Sequence, residues 1–119
     1  MEYFDTHMHL DDEKFDEDRE HVVQKMQNAG VTRCINMGCN IETSKKAIEL
    51  SKKYDFIYSA VGIHPEEISQ KEEELWKSIE KIEELALSNE KNVAIGEIGL
   101  DYYWRNDNKE IQKEAFIKQ

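Results

Sequence analysis

Short runs rich in β-branched and aromatic residues alternate with amphipathic stretches, and this alternation constrains the fold more than any other feature. The predicted strands are residues 2–5, 32–37, 56–61 and 93–98, and the predicted helices are residues 16–29, 42–54, 70–88 and 108–119. Strands that are separated by helices pair in parallel, because a parallel partner needs a crossover connection. The sequence therefore predicts an α/β fold of parallel β/α units in a single domain over residues 1–119.

The third predicted helix has the clearest periodicity. Leu75, Ile79, Ile82 and Ala86 recur at intervals of three and four residues, while glutamate and lysine fill the opposite face. An apolar stripe of this kind is buried against the rest of the fold, and the charged face stays in water.

Chemically unusual residues cluster where the predicted strands end. His7 and His9 follow the first strand, His64 follows the third, and Glu97 lies in the fourth. In parallel α/β folds, active sites gather at the carboxyl ends of the strands. These side chains are therefore candidate functional residues, whereas His21 lies in a predicted helix and is expected on the surface.

His7 and His9 are two residues apart on an extended segment, so both imidazoles are expected to point to the same side. They could bind one cation together, or each could bind one of two neighbouring cations. The alternative is a pair of partly exposed histidines that bind nothing. Asp5 is the expected hydrogen-bond acceptor for one of the imidazoles.

Glu97 lies in a run of valine, alanine, isoleucine and glycine that is expected to be buried. A buried carboxylate is costly unless it is paired with a cation or binds a metal. A salt bridge to a lysine or arginine is the structural alternative, but the nearby strands offer few basic residues apart from Arg33. A metal ligand is therefore favoured, and Glu97 could bridge two cations.

His64 precedes Pro65, which favours an extended conformation at a strand end. It could ligate a metal, contact a phosphate or donate a proton, and a packed loop histidine is the alternative. Besides His64, the candidate substrate-binding residues follow Glu97 and are Asp101, Tyr102 and Arg105, with the rings of Tyr103 and Trp104 between them. The aromatic rings and the arginine could stack a base and hold a phosphate, or the rings could form an apolar cap.

The formal net charge of -10 argues against a general nucleic-acid coat protein, which needs a basic face. It leaves open an enzyme that acts on nucleic acid, because bound divalent cations change the charge of a cleft locally. No secretory signal or membrane-length apolar run is recognisable, so a cytoplasmic location without a membrane partner is expected. Cys34 and Cys39 are expected to be reduced thiols rather than a disulfide or a zinc pair.

Three segments, FDTHMHL at residues 4–10, AVGIHPE at residues 60–66 and AIGEIGLDY at residues 94–102, stand in this order along the chain. In sequence, order and spacing they resemble motifs of the TatD family of metal-dependent hydrolases, within the amidohydrolase superfamily. The resemblance covers essentially the whole chain.

The resemblance implies a TIM-like barrel with a divalent metal centre, commonly of two metals, whose identity could be zinc, magnesium or manganese. It also implies that the substrate is DNA, cleaved at phosphodiester bonds, including by 3′-to-5′ exonuclease action. His7 and His9 match the first-strand ligands, Glu97 matches the catalytic carboxylate that bridges the metals, and His64 matches a histidine near the substrate phosphate. Some relatives remove D-amino acids from tRNA, so this ester hydrolysis is the alternative activity.

The family takes further ligands, two histidines and an aspartate, from later strands. A complete barrel typically needs about 250 residues and eight strands, about twice what is predicted here. The chain is therefore expected to be the first half of a barrel, truncated at its C-terminus. As an isolated half-barrel it is expected to be poorly active or inactive, and to self-associate through its open sheet edges.

Overall fold

A computed structural model describes residues 1–119. The strands are β1 (Tyr3–Met8), β2 (Val31–Met37), β3 (Ile57–Val61) and β4 (Asn92–Ile95), and the helices are α1 (Arg19–Asn28), α2 (Ile41–Lys53), α3 (Glu72–Leu87) and α4 (Lys109–Lys118). Short 3₁₀ turns at Glu13–Phe15 and Pro65–Glu67 follow β1 and β3. Strand and helix therefore alternate along the chain as predicted.

The strands form one parallel sheet in the order β1-β2-β3-β4, which is also their order along the chain. Cys34 of β2 lies opposite Ile57 of β3, and Ala60 of β3 lies opposite Ala94 of β4. The helices α1, α2 and α3 supply the crossovers that parallel pairing requires. The predicted fold class, α/β with parallel β/α units, is confirmed.

Apolar side chains from the helices pack in two groups. One group joins β3 to α2, α3 and α4 and is made of Ile48, Val61, Ile63, Ile68, Leu75, Ile79, Ile82 and Ala115. The other joins β2 and β3 to α1, α2 and the turn after β1, and is made of Leu10, Val23, Cys34, Leu50 and Ile57. Burial of these groups away from water is the main force that holds the helices on the sheet.

The predicted apolar stripe of α3 is confirmed. Leu75, Ile79 and Ile82 are buried, and Ala86 is partly buried and packs against the same core group. The opposite face carries charged side chains, including the Lys77–Glu73 ion pair. None of the helices combines the length and the apolar character that crossing a membrane would need.

The edges of the sheet differ from the prediction. β4 stops at Ile95, so Glu97 lies beyond the strand, and three of the four β4 side chains are exposed. The expectation of a buried fourth strand is wrong: β4 is an edge strand that pairs only with β3, and the elements packed on its faces leave most of its side chains uncovered. β1 is longer than predicted and includes His7, because its pairing with β2 continues to Met8 opposite Asn36.

Main-chain hydrogen bonds join the carboxyl ends of β2, β3 and β4. Gly38 N donates to Ala60 O, and Gly96 N donates to Val61 O, both at 2.9 Å. Glu97 N then donates to Gly38 O at 2.6 Å. The chain after β4 therefore reaches past the end of β3 and meets the end of β2.

Gly62 makes this close approach possible. A Cβ atom added there would lie 2.8 Å from the carbonyl carbon of Gly96 and 3.0 Å from Cγ2 of Ile98. On the other side, the Ser44 hydroxyl lies within hydrogen-bond distance of Gly62 N and Gly62 O, at 3.2 and 3.4 Å. Any side chain at position 62 would therefore push the segment that carries Glu97 away from β3.

We predict that Gly62→Ala lowers the free energy of unfolding by about 1–3 kcal/mol, because the added methyl group overpacks a filled site. Urea unfolding followed by circular dichroism measures the loss. Ala94→Val is the matched control, since it enlarges an exposed side chain on the adjacent edge strand. The control should change stability by less than about 0.5 kcal/mol, and an equal loss in both variants would contradict the packing argument.

Candidate metal centre

Three candidate side chains converge at the carboxyl edge of the sheet, and we call them the His7/His9/Glu97 cluster. The Nε2 atoms of His7 and His9 are 3.2 Å apart, and each is 3.4 Å from Oε2 of Glu97. His7 lies in β1 and Glu97 follows β4, so the cluster joins the two opposite edges of the sheet. The side chains can meet only because the sheet curves, as the strands of a barrel do.

The spacing of the donor atoms fits a divalent cation. Zinc binds imidazole nitrogen and carboxylate oxygen at about 2.0–2.2 Å, which separates the donors of a tetrahedral site by about 3.3–3.6 Å. The separations of 3.2–3.4 Å in the cluster are close to this range. The Glu97 side chain is 29% exposed, so a cation can reach it from solvent.

Glu97 has no lysine or arginine partner. Its ion-pair contacts within 4.0 Å are with His7, His9 and His64. The salt bridge that the sequence left as an alternative is therefore not formed. Glu97 is also half-buried rather than buried, because it lies beyond the end of β4 at the rim of the sheet.

The Asp5 carboxylate does not orient an imidazole, which corrects the sequence-based expectation. It accepts a hydrogen bond from the main-chain N–H of His7 at 3.0 Å. The pairing of β1 with β2 is irregular between Asp5 and Met8, and there the side chain replaces a sheet partner for this N–H. Asp5 therefore fixes the backbone of His7 rather than its ring.

His64 lies beside the cluster, with Nε2 at 3.8 Å from Oε1 of Glu97. Its Nδ1 accepts a hydrogen bond from Glu66 N at 3.1 Å, so the neutral ring carries its proton on Nε2. An N–H in this position can donate to an anionic oxygen, whereas a metal ligand would need a free nitrogen. The geometry therefore favours a phosphate contact or proton donor over a ligand.

Cys39 is a neighbour of the cluster for which the sequence predicted only a reduced thiol. Its Sγ lies 3.6 Å from Oε2 of Glu97. Burial, and next the negative charge of Glu97, raise the pKa of the Cys39 thiol to about 12, so at neutral pH the thiol is protonated and donates to the carboxylate. The sequence feature that could have indicated this contact is the position of Cys39 directly after Gly38, at a strand end. Both cysteines are free, as predicted.

Apart from His64, the predicted substrate-binding residues lie on one loop, which we call the 101–105 loop. Asp101 Oδ1 accepts hydrogen bonds from the main-chain N–H groups of Tyr103 and Trp104, each at 3.0 Å. The hydrogen bond from Trp104 is the largest cause that lowers the pKa of Asp101. Arg105 donates to the carbonyl oxygen of Glu66 at 3.1 Å and so attaches the loop to the turn after His64.

The aromatic side chains of the 101–105 loop are exposed in this chain. Tyr103 is 82% exposed and Trp104 is 70% exposed, and their rings meet edge to face with centroids 4.7 Å apart. Tyr102 lies under the ammonium group of Lys109, 5.1 Å from its ring centroid. The loop therefore presents two aromatic faces to solvent.

Gln112 of α4 anchors this loop and was not recognised from the sequence. Its side chain is fully buried. Oε1 accepts from Asp101 N at 2.8 Å, and Nε2 donates to the carbonyl oxygens of Asp101 and Arg105 at 3.0 and 2.7 Å. A glutamine in a charged helix gives no sequence signal for such a role, because its partners are main-chain atoms of another segment.

The sequence profile of the TatD-related DNase family matches residues 4–119. YabD of Bacillus subtilis, an uncharacterised metal-dependent hydrolase, is 45% identical over 118 residues, which cover 98% of this chain and 44% of that protein. The 3′-5′ ssDNA/RNA exonuclease TatD of Escherichia coli K12 is 36% identical over 118 residues, covering 98% and 43%. The chain thus spans less than half the length of these relatives.

Solved structures agree with the sequence matches. The crystal structure of YjjV, a TatD homologue from Escherichia coli K12, has a TM-score of 0.83 and 30% identity, and covers 98% of this chain and 44% of that one. An uncharacterised amidohydrolase from Saccharomyces cerevisiae shares the fold, with a TM-score of 0.78 at 23% identity over 98% of this chain and 42% of that one. The parallel β/α units therefore correspond to part of a TIM barrel.

We predict that Gln112→Leu loosens the 101–105 loop and lowers the free energy of unfolding by about 1–3 kcal/mol, because buried main-chain groups lose their partners. Hydrogen exchange measured by mass spectrometry should show faster exchange in the loop. Gln24→Leu, on an exposed part of α1, is the control and should leave loop exchange unchanged. Wild-type exchange in Gln112→Leu would contradict the anchoring role.

Proposed function

Since the chain belongs to the TatD-related DNase family, we propose that its His7/His9/Glu97 cluster is part of the divalent-metal centre of a hydrolase that cleaves phosphodiester bonds in DNA. The observation that carries this proposal is the meeting of two imidazole nitrogens and one carboxylate oxygen within 3.2–3.4 Å of each other. Such donors suit zinc, manganese and magnesium to differing degrees.

A divalent cation bound there would lower the pKa of a bound water and stabilise negative charge on phosphoryl oxygens. The proposed role of this chain is to supply the nitrogen and oxygen atoms that bind the cation. Glu97 turns Oε2 toward the two cluster histidines and Oε1 toward His64. If the centre takes two cations, Glu97 is the residue proposed to hold both.

His64 is the proposed contact to the substrate phosphate and the proposed proton donor. Its Nε2–H group lies beside the cluster and does not need to be freed from another partner. It can donate to a phosphate oxygen, or pass its proton to the leaving oxygen. Arg105 is attached to the turn that follows His64, so its guanidinium is the second proposed phosphate contact.

The exposed rings of Tyr103 and Trp104 support a nucleic-acid substrate. The chain carries a net charge of -10 and cannot rely on a general attraction to phosphates. Stacking does not depend on charge and contributes about 1–3 kcal/mol per base. The E. coli relative is named a 3′-5′ ssDNA/RNA exonuclease, which supports single-stranded DNA as the substrate to test.

The remaining ligands of a complete centre are proposed to come from the part of the barrel that these residues do not include. The isolated chain is accordingly proposed to bind metal through the cluster but to hydrolyse DNA poorly. The exposed side chains of its edge strands, such as Phe4 in β1 and Ile95 in β4, favour self-association.

We predict that the isolated chain binds Zn²⁺, and that Glu97→Ala, His7→Ala and His9→Ala each weaken binding at least about tenfold, because each removes a donor. Competition with a chromophoric chelator measures the affinity. His21→Ala removes an exposed histidine of α1 and should bind as the wild type does. Light scattering on the same samples reports self-association. Undiminished binding by Glu97→Ala would contradict the site.

Hydrolysis can be tested in a chimera in which this chain replaces the matching part of YabD. We expect the chimera to shorten 5′-labelled single-stranded DNA when a divalent cation is present, and to stop when the cation is chelated. Glu97→Ala should slow it by about 100-fold or more, since metal catalysis contributes several kcal/mol. His21→Ala serves as the control. Near-normal turnover by the Glu97→Ala chimera would refute the assignment.

A further inference from the structure

We propose that Asn36 and Asp11 form a buried positioning pair that holds His9 in place for metal binding, an inference that rests on the proposed function of the His7/His9/Glu97 cluster. Asn36 lies in β2 and is fully buried, and Asp11 is only 8% exposed. Neither side chain supplies a metal-binding atom to the cluster. Their proposed role is to hold the backbone that carries His9.

The pair fixes the residue that follows His9. Asn36 Oδ1 accepts a hydrogen bond from Leu10 N at 2.7 Å, and Asn36 Nδ2 donates to Asp11 Oδ1 at 2.8 Å. Both polar atoms of the buried amide are therefore used. An apolar residue at position 36 would leave the Leu10 N–H and the Asp11 carboxylate without partners in a buried site.

Further contacts complete the support around Leu10. Arg19 Nε donates to Leu10 O at 2.8 Å, so both main-chain groups of Leu10 are held by side chains from other elements. The Leu10 side chain is buried in the core group that includes Val23. His9 O accepts from Asp12 N at 3.2 Å, which closes the turn that begins at His9.

The His9 ring itself has little other support. Its side chain is 41% exposed, and its polar contacts are with His7 and Glu97, the other members of the cluster. The direction of the ring is therefore set by the main chain on either side of it. Asn36 lies opposite Met8 in the sheet, and Met8 is the residue between His7 and His9. The buried amide of Asn36 therefore acts on the segment that carries both histidines.

A metal site depends on such support, because its donors must be held to within about 0.5 Å of the binding geometry. Loss of groups that orient metal ligands typically weakens metal affinity about 10–100-fold. A role in stability alone would lower the melting temperature and leave the metal affinity of the folded chain unchanged. The melting temperature and the metal affinity of the folded chain therefore distinguish a positioning role from a role in stability alone.

The test is a charge swap within the pair. Asn36→Asp brings two carboxylates into contact and should weaken Zn²⁺ binding about 10–100-fold. Adding Asp11→Asn restores one amide and one carboxylate with their positions exchanged. The carboxylate introduced at position 36 can accept from Leu10 N and from the amide introduced at position 11. The double variant should therefore recover an affinity within about threefold of wild type.

Zn²⁺ affinity is measured by chelator competition, and the melting temperature of the metal-free chain is measured alongside it. Asn28→Asp makes the same chemical change at an exposed position of α1 and is the control. An affinity loss in Asn36→Asp, measured at a temperature at which the metal-free variant is folded and recovered by the double variant, supports the proposal. A double variant that regains the wild-type melting temperature but not the affinity overturns it.

Two other results are informative. Wild-type affinity in Asn36→Asp overturns the positioning role and leaves the metal centre intact. Failure of the unsubstituted chain to bind Zn²⁺ overturns the metal centre itself, and the positioning role with it.

Discussion

The hydrogen bond from the main-chain N–H of Glu97 to the carbonyl oxygen of Gly38 is the constraint on which the site depends. Together with the hydrogen bond from Gly96 N to Val61 O, it brings the chain after β4 past the end of β3 to the end of β2, toward the side of the sheet that carries the histidines of β1. One such bond contributes only about 0.5–1.5 kcal/mol to stability, so its main effect is geometric. Gly38 is itself held, because the next residue, Cys39, donates its N–H to Thr43 in the capping box of α2.

The order of strands and helices could be predicted because each has its own periodicity. The α3 stripe repeats at helical spacing, and parallel pairing follows from the crossovers. Exposure of β4 could not be predicted from its composition. Val93 and Ile95 belong to the kind of strand that is covered on both sides in a closed barrel, and in this chain nothing pairs with the outer edge of β4.

The convergence of His7, His9 and Glu97 could also be predicted, because the carboxyl ends of parallel strands share one rim. The contacts around them could not. Asp5 binds a main-chain N–H instead of a ring, and Cys39 meets Glu97 across 58 residues of sequence. Such contacts depend on the strand register and on the geometry of the turns, and the residue types alone do not determine either. Polar side chains that bind main-chain groups, such as Gln112, leave no pattern at all.

The agreement between strand order and chain order gives the formation of the site a direction in time. Each strand pairs with the one made just before it, so the sheet can grow from its N-terminal edge while synthesis continues. His7 and His9 are synthesised before Glu97, which is brought beside them only when β4 has paired with β3. The three side chains of the cluster are therefore together only when all four of these strands have paired.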